Sequence, residues 1–406
     1  MRAIVLMMMS GVVAYSLKHG PQPLIPSIAG ELGLMPAEGS LIVAAEMAGM
    51  SATLLLVIMF ADFLSRKWVM GLSLGAAAIL DAVMGAGVGF HVIVACRFLQ
   101  GMLLGTFPAL MIAYINEEFP ANRTATTIGL YLGSTAAGGM LGRFVATLLS
   151  DMVSWREVFF LFTVCGALVA VLYCSLMPAS RHAVARPRMG SLASVFALVK
   201  DSRLLLLNFI GFSLMGTFAA VYTYITYALL DAPYFLTKVE LAPIFLMQIF
   251  GTMSSAVAGK LADHWGKGRV LKLGFALMIC GSVMTLGAPL CAKYVGLGLF
   301  ISGIFACHTT AASWVGQLDG IDKAPAASLY MLCYYIGGSV LSVLGGFFYH
   351  HLHWTGLVAM IVLFTVLSIG AFIAFMHKVA SSKTNDADDE NDENAMIRAR
   401  KIPVHA

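Results

Sequence analysis

Residues 259–267 read Gly-Lys-Leu-Ala-Asp-His-Trp-Gly-Lys, and residues 60–67 read Phe-Ala-Asp-Phe-Leu-Ser-Arg-Lys. Each segment is a short charged loop between two long apolar runs. Their aspartates, Asp62 and Asp263, are 201 residues apart in a chain of 406 residues. A segment that recurs at half the chain length indicates two related halves, because internal repeats mark repeated structural units.

Two further landmarks recur at almost the same interval. A Gly-Gly pair stands at residues 138–139 and again at residues 337–338, an offset of 199. Trp155 and Trp354 are also 199 residues apart. Three landmarks in matching apolar runs predict that the two halves share one architecture.

The apolar runs predict an all-α membrane protein. Hydrophobic residues make up 59% of the chain and charged residues only 11%, whereas soluble proteins carry about 25% charged residues. The mean hydropathy is +0.86, and a membrane-spanning helix needs about 20 apolar residues. Twelve such spans are predicted, at approximately residues 4–26, 39–61, 69–89, 91–115, 125–149, 156–177, 203–229, 240–262, 270–290, 293–315, 325–348 and 354–377. The net charge of +4 reflects the loops and does not indicate nucleic-acid binding.

The basic residues predict the orientation. With the N-terminus in the cytoplasm, 19 of the 25 lysines and arginines fall on the cytoplasmic side, and three fall outside. Short cytoplasmic loops carry the excess of lysine and arginine in membrane proteins. We therefore expect a multi-pass protein of a bacterial inner membrane with both termini in the cytoplasm, surrounded by lipid and acting as a monomer.

The longest internal loop divides the chain. We expect an N-terminal six-helix half over residues 1–177, a basic cytoplasmic linker over residues 178–202 and a C-terminal six-helix half over residues 203–379. Residues 380–406 carry an acidic run followed by basic residues. Low hydrophobicity and dense charge predict a disordered cytoplasmic tail there.

The loop at residues 259–267 resembles the signature Gly-x-Leu-Ala-Asp-Arg-x-Gly-Arg-Lys of the major facilitator superfamily. Gly259, Asp263, Gly266 and Lys267 carry the likeness. The resemblance implies that this loop holds helix ends together and biases the equilibrium between inward- and outward-facing states. It also implies two pseudo-symmetric six-helix bundles.

The first copy departs from the signature. Ile58 and Ser65 stand where the two glycines would be, while Asp62, Arg66 and Lys67 remain. An aspartate beside a helix N-terminus accepts backbone N–H bonds and suits the helix dipole. We expect the same conformational role for both copies.

Two further motifs point to proton-coupled members of that family. Arg97 and Gly101 resemble an Arg-x-x-x-Gly motif of the proton-coupled members. Residues 134–139 read Ser-Thr-Ala-Ala-Gly-Gly and resemble the antiporter motif Gly-Pro-x-x-Gly-Gly, with Gly138 and Gly139 retained. The overall likeness is to the drug and sugar efflux branch.

Charged residues inside predicted spans are candidates for function, because each costs about 2.5–3.5 kcal/mol on membrane-insertion scales. At about 1.5 Å per residue, Lys18 and Glu46 lie about 21 and 22 Å from the cytoplasmic ends of their spans, and Arg97 and Arg143 about 27 Å. Lys18 and Glu46 form either a structural ion pair or a proton switch that meets the solute. Asp81 either pairs with another helix or takes part in the coupling.

Other polar residues are expected to line the path. His19 and Gln22 lie in the proline-interrupted segment of span 1, and broken helices are tolerated where they line a cavity. The resemblance places span 10, with His308, at the cavity. Tyr224 and Tyr334 combine an apolar ring with a polar tip, which suits an amphipathic solute.

These observations predict a secondary transporter and not an enzyme. The chain has no nucleotide-binding loop, so the energy is expected to come from a proton gradient, without a cofactor or bound metal. The buried charges favour a small anionic or zwitterionic solute, exported in exchange for protons. Uptake by proton symport is the first alternative, and a membrane sensor or assembly subunit that does not transport is the second.

Overall fold

The computed structural model describes residues 2–60, 65–178, 198–318 and 320–400, and the prediction of an all-α protein is confirmed over these ranges. For residues 57–60, 121–122, 125, 324 and 381–400 the structure describes the backbone alone. The helices are α1 (Arg2–His19), α2 (Ile25–Leu32), α3 (Pro36–Gly39), α4 (Leu41–Phe60), α5 (Arg66–Gly85), α6 (Phe90–Glu118), α7 (Ala121–Leu149), α8 (Trp155–Leu176), α9 (Ser202–Leu230), α10 (Lys238–Leu241), α11 (Gln248–Trp265), α12 (Lys267–Met284), α13 (Leu290–Val315) and α14 (Lys323–Arg400).

The first span is broken where the sequence predicts an interruption. Helix α1 ends at His19, a 3₁₀ turn covers Gln22–Leu24, and α2 continues to Leu32. Proline at position 21 lacks the backbone N–H that would continue the helix. With α2 included, the first span covers Arg2–Leu32 and is longer than the predicted residues 4–26. It ends at Gly33, which has a φ of 65°.

The helices are consistent with twelve spans. Within the described ranges, nine helical stretches are long and apolar enough to cross a membrane, and the last of these, Pro325–Ala380, has 56 residues. At 1.5 Å per residue it would be about 84 Å long, more than twice the hydrocarbon thickness of a bilayer. It is broken at His353 (φ 49°, ψ −140°) and so accounts for two predicted spans. Helices α7 and α12 are also long enough to span, with 29 and 18 residues.

The two halves repeat the same close helix contact. Gly138 of α7 packs against the backbone of Val12 in α1, and Gly337 of α14 packs against the backbone of Phe212 in α9. The glycines are offset by 199 residues and their partners by 200. A side chain at either glycine would overlap a backbone carbonyl, so both positions allow helices to approach closely.

The duplicated loops also make matching contacts. Arg66 forms an ion pair with Glu117 near the end of α6 (2.6 Å). Lys267 donates to the carbonyl of Ser313 (3.2 Å) and to Gln317, just beyond α13. Glu117 and Gln317 are offset by 200 residues. In the first half the start of α5 is thus bound to the end of α6, and in the second half the start of α12 is bound to the end of α13. Asp62 lies outside the described residues.

Two faces of the bundle are distinguished by these contacts. The terminal face carries the start of α1 and the duplicated loops; the distal face carries the turns after α2, α7 and α9. Contacts between the halves lie toward the distal face. Ser339 donates to the carbonyl of Ala44 (2.8 Å), and Lys238 donates to the carbonyl of Ser150 (2.7 Å).

The predicted linker and tail are described only in part. Residues 179–197 of the linker lie outside the described ranges, and α9 begins at Ser202 with Asp201 accepting from the N–H groups of Arg203 and Leu204. Helix α14 continues to Arg400, and the disorder that the sequence predicts for residues 380–406 stays a prediction. Residues 380–400 contain neither glycine nor proline, so nothing in that run interrupts a helix.

We expect Gly138→Ala to destabilise the protein. Its methyl group would overlap a carbonyl of α1, and overpacking of this kind costs about 1–3 kcal/mol. Gly133→Ala on the same helix is the matched control, because an added Cβ there meets no atom within 4 Å. Thermal unfolding in detergent should show a lower midpoint for Gly138→Ala alone. Equal midpoints would contradict the close contact.

Candidate functional site

A cavity of about 440 Å³ lies between the two halves. Polar side chains from both halves line it, among them Lys18 and His19 of α1, Gln248 of α11, His308 of α13 and Tyr334 of α14. Aromatic rings and small residues form most of the remaining wall. The cavity lies on the terminal side of the contacts that join the halves, and a volume of this size suits a small organic molecule.

A buried guanidinium closes the distal end of this cavity. Arg143 is 1% exposed. Its Nε donates to Gln22 Oε1 (2.8 Å), and its Nη1 donates to the carbonyl of Gly139 (3.1 Å) and to Gln248 Oε1 (2.8 Å). The guanidinium carbon lies 4.5 Å from the ring centre of Tyr222. Arg143 therefore binds groups of both halves at once.

His19 also binds the guanidinium of Arg143. Its Nδ1 lies 3.0 Å from Arg143 Nη2. A guanidinium can only donate, so Nδ1 accepts and the proton of a neutral His19 is assigned to Nε2. A doubly protonated His19 could not make this bond.

Gln22, which accepts from Arg143, also binds the second half. Its Nε2 donates to the carbonyl of Ala219 (3.2 Å) and to the hydroxyl of Thr223 (3.1 Å), both on α9. The Gln22 side chain is 3% exposed. The layer formed by His19, Gln22, Arg143 and Gln248 thus joins α1 and α7 to α9 and α11 through charge-assisted and amide hydrogen bonds. We call it the Arg143 layer.

A second buried cluster surrounds Glu46. Glu46 Oε2 lies 3.6 Å from Arg97 Nη2, and Glu46 Oε1 lies 3.9 Å from Lys18 Nζ. All three side chains are at most 3% exposed. Glu46 Oε1 accepts no hydrogen bond from the described residues. Two cations therefore share one carboxylate, and one of its oxygens can still accept a donor.

Backbone carbonyls hold Arg97 in place. Its Nη2 donates to the carbonyl of Lys18 (2.7 Å) and its Nε to that of Ile42 (3.3 Å). Arg97 also donates to Gln100, whose Nε2 donates to Asp81 Oδ1 (3.0 Å). Asp81 is thus joined to the cluster through Gln100, and it does not line the cavity.

Gly101 brings the cluster together. A side chain at this position would overlap the carbonyl of Glu46. The missing Cβ therefore lets α6 approach α4 closely enough for Arg97, one turn earlier, to reach the Glu46 carboxylate. This contact gives a physical reason for the Arg-x-x-x-Gly spacing.

The chain matches the family model of the Major Facilitator Superfamily over residues 5–327. It is 32% identical to an uncharacterised MFS-type transporter, YybF, of Bacillus subtilis, over 89% of this chain and 90% of that one. It is also 32% identical to the inner membrane transport protein YnfM of Escherichia coli, over 91% of this chain and 89% of that one. The chain belongs to the major facilitator superfamily. It is therefore a multi-pass membrane transporter and not an enzyme, as the sequence predicts.

Solved structures of superfamily members share the fold. A bacterial homologue of the human lysosomal transporter Spinster, in an inward-facing and unoccupied conformation, superposes with a TM-score of 0.76 at 13% identity, covering 92% of this chain and 96% of that one. The nucleoside transporter NupG gives a TM-score of 0.68 at 15% identity, covering 93% and 99%. At these identities the likeness concerns the fold alone.

Most of the predicted solute and coupling residues line the central cavity or lie next to it. Lys18, His19, His308 and Tyr334 line it. His308 Nδ1 lies 3.1 Å from the hydroxyl of Tyr330, and its ring centre lies 4.5 Å from that of Tyr334. Glu46 and Arg97 lie behind Lys18, and Gln22 and Arg143 form the closing layer.

Tyr224 lies elsewhere. Its hydroxyl donates to the carbonyl of Ser342 (3.0 Å), and its ring stacks on Tyr349 with the centres 5.1 Å apart. It is buried on the distal side of the Arg143 layer and does not line the cavity. The expectation that it meets the solute is replaced by a packing role, because Tyr224 follows Thr223, the Gln22 partner, by one residue and so projects from another face of α9, against α14.

Sequence reasoning missed two amides that matter here. Gln100 connects Arg97 to Asp81, and its position three residues after Arg97 on one helix face was a usable signal. Gln248 is the partner of Arg143 in the second half. Its signal was weaker, a single amide in the apolar run Ile-Phe-Leu-Met-Gln-Ile-Phe at residues 244–250, and its partner is 105 residues away.

We expect Arg143→Lys to loosen the distal closure. An ammonium cannot reproduce the fork that reaches Gln22 and Gln248 together, and each lost bond to a charged group is worth about 1.5–3 kcal/mol. The readout is maleimide labelling of Thr226→Cys, a buried position toward the distal end of α9, in a chain without its seven native cysteines.

Labelling by an impermeant reagent added at the distal face should become roughly tenfold faster, as expected from the loss of one such bond. Arg156→Lys is the control, because Arg156 pairs with Glu31 at the distal face but is about one-third exposed. An unchanged rate in Arg143→Lys would show that the layer does not hold the halves together.

Proposed function

We propose that the transporter is a proton-coupled exporter of a small organic zwitterion, acting as a monomer in a bacterial inner membrane with both termini in the cytoplasm. The observation that carries this proposal is the Glu46 carboxylate, shared by Lys18 and Arg97 immediately behind the cavity wall. A carboxylate near two cations couples its protonation to anything that rearranges those cations.

The cavity favours a solute with a carboxylate and an apolar body. Lys18 lines the wall, and its Nζ lies 5.2 and 5.1 Å from the ring centres of Tyr15 and Tyr335. Aromatic rings attract the ammonium without neutralising it. A solute carboxylate can therefore pair with Lys18 while its apolar part packs on the tyrosines.

The second charge of the solute decides the direction of coupling. A zwitterion places its cationic group against Glu46, so it requires an ionised Glu46 and competes with a proton. A solute that is only anionic competes with Glu46 for Lys18, so it binds better when Glu46 is protonated. Coupling between two ligands is reciprocal. Competition between solute and proton therefore supports exchange, whereas a solute and a proton that strengthen each other's binding support symport. Export of a zwitterion is the proposal, and uptake of an anion is the second candidate.

The transport cycle follows from the two-half architecture. Parallel six-helix halves alternate access by rocking about a central site. In the arrangement described above, the Arg143 layer and the bonds from Ser339 to Ala44 and from Lys238 to Ser150 join the halves toward the distal face, so the cavity belongs to an inward-facing state. Opening to the other side requires the bonds from Arg143 and Gln22 to the second half to break.

We expect Glu46→Gln to uncouple the transporter from protons. A weakly buffered sample of the purified protein is mixed with a zwitterion selected by thermal shift, and proton release is followed with a pH dye. The wild type should release protons, whereas Glu46→Gln should not, although it should still exchange labelled for unlabelled solute.

Glu31→Gln is the control, because Glu31 is exposed at the distal face and pairs with Arg156. Proton uptake in place of release would favour the symport candidate. Proton release that persists in Glu46→Gln but is lost in His308→Ala would assign the proton site to His308. Absence of solute flux in vesicles with an imposed pH gradient would refute transport of that solute.

We expect Lys18→Gln to weaken solute binding. The loss of a charged hydrogen-bond donor should raise Kd roughly tenfold or more. Lys260→Gln serves as the control, because Lys260 is exposed on α11 and lies outside the cavity. Calorimetric titration should show the change for Lys18→Gln alone. Equal affinities would exclude Lys18 as the carboxylate partner.

A further inference from the structure

A groove of about 540 Å³ lies at the terminal face, away from the central cavity. It runs between the start of α12 and the part of α14 that follows the kink at His353. We call it the α12–α14 groove. Its lining includes Trp265, Arg269, Lys272, Phe372, Ile373 and Met376.

The floor and outer wall of this groove are apolar and accessible from the membrane. Phe372 is 2% exposed and forms part of the floor, whereas Ile373 is 51% exposed and Met376 is 39% exposed. In a membrane-spanning bundle, apolar side chains exposed on the outside contact lipid chains. An aqueous solute would gain nothing from these walls, whereas an acyl chain fills them.

The other end of the groove is basic. Arg269 and Lys272 lie in the first two turns of α12, and no acidic side chain is among the described residues that line the groove. Arg269 uses one Nη1 N–H to donate to the carbonyl of Trp265 (3.3 Å), which leaves further donors available. Lys267 does not contribute, because its ammonium is directed toward Ser313 and Gln317.

The helix start adds to the positive potential. The first amides of α12, at residues 267 and 268, have no partner within their own helix. The helix dipole places partial positive charge at this end. Two basic side chains and a helix N-terminus therefore converge where an apolar groove meets the membrane surface.

The order of these features along the membrane normal matches an amphiphile. Arg269 lies in the first turn of α12, at the terminal face, and Met376 lies one turn closer to that face than Ile373. Trp265, 53% exposed, lies at the same level, where indole rings favour the membrane interface. Positive charge lies at the surface and apolar wall lies below it.

We propose that the α12–α14 groove binds an acidic phospholipid, with its phosphate on Arg269 and Lys272 and an acyl chain along Ile373 and Met376. The distribution of lysine and arginine predicts that the terminal face is cytoplasmic, and basic clusters on that side attract anionic head groups. The proposal does not depend on the transported solute or on proton coupling.

The test compares lipid retention by the full-length protein in detergent, measured by native mass spectrometry with added phosphatidylglycerol or phosphatidylcholine. The variant is Arg269→Gln combined with Lys272→Gln. The control is Lys260→Gln combined with Lys323→Gln, which removes two exposed charges from the same face outside the groove. Each variant is first checked for an unchanged thermal unfolding midpoint.

We expect phosphatidylglycerol binding by the groove variant to fall roughly tenfold, because each basic side chain strengthens attraction to anionic lipid. The control and phosphatidylcholine binding should not change. Equal phosphatidylglycerol binding by groove variant and control would overturn the proposal.

Two further measurements distinguish a lipid from a soluble phosphate. Glycerol phosphate, which is the head-group chemistry without chains, should fail to displace the lipid; displacement at low concentration would overturn the assignment to a lipid. Phosphatidylglycerol with brominated chains should quench Trp265 fluorescence in a protein whose other four tryptophans are phenylalanine. Absence of quenching would place the lipid elsewhere and refute the site.

Discussion

The arrangement of this transporter depends on a buried guanidinium bonded to both halves. Arg143 cannot lose its charge in practice, and no carboxylate lies among its hydrogen-bond partners in the described chain. Four of its five N–H donors are occupied by His19, Gln22, Gly139 and Gln248. Because unsatisfied polar groups are costly in a bilayer, the halves stay together until other acceptors are provided. Closure of the distal face follows from this requirement.

A second constraint acts within the first half. Glu46 balances Lys18 and Arg97, while backbone carbonyls and Gln100 satisfy the remaining donors of Arg97. Lys18 and Arg97 outnumber the one carboxylate between them, which supports the proposal of a solute that carries a carboxylate. The second half contributes His308, Tyr334 and several apolar rings instead. Charge chemistry and pocket shape are thus divided between halves that share one fold.

Glycines allow both arrangements. Gly101 lets α6 approach Glu46, and Gly138 lets α7 approach α1, where Arg143 then reaches Gln22 and His19. The matching contact at Gly337 in the second half joins α14 to α9 without a corresponding arginine, since Ser342 stands at the equivalent position, 199 residues after Arg143. The two halves share the packing between these helices, but the arginine occurs in the first copy and a serine in the second.

The sequence by itself determined the fold class, the duplicated halves and the depth of the charged residues. Apolar length and repeated landmarks are local properties of a chain in a membrane, so they can be counted. Only the tertiary structure decided which side chains meet. Arg143 and Gln248 are 105 residues apart, and no spacing rule connects them. Tyr224 and Tyr334 looked alike in sequence, yet Tyr224 packs on Ser342 and Tyr349 of its own half, whereas Tyr334 lines the cavity. The duplicated loops mark the two halves, but the packing between the halves determines which polar groups close the cavity.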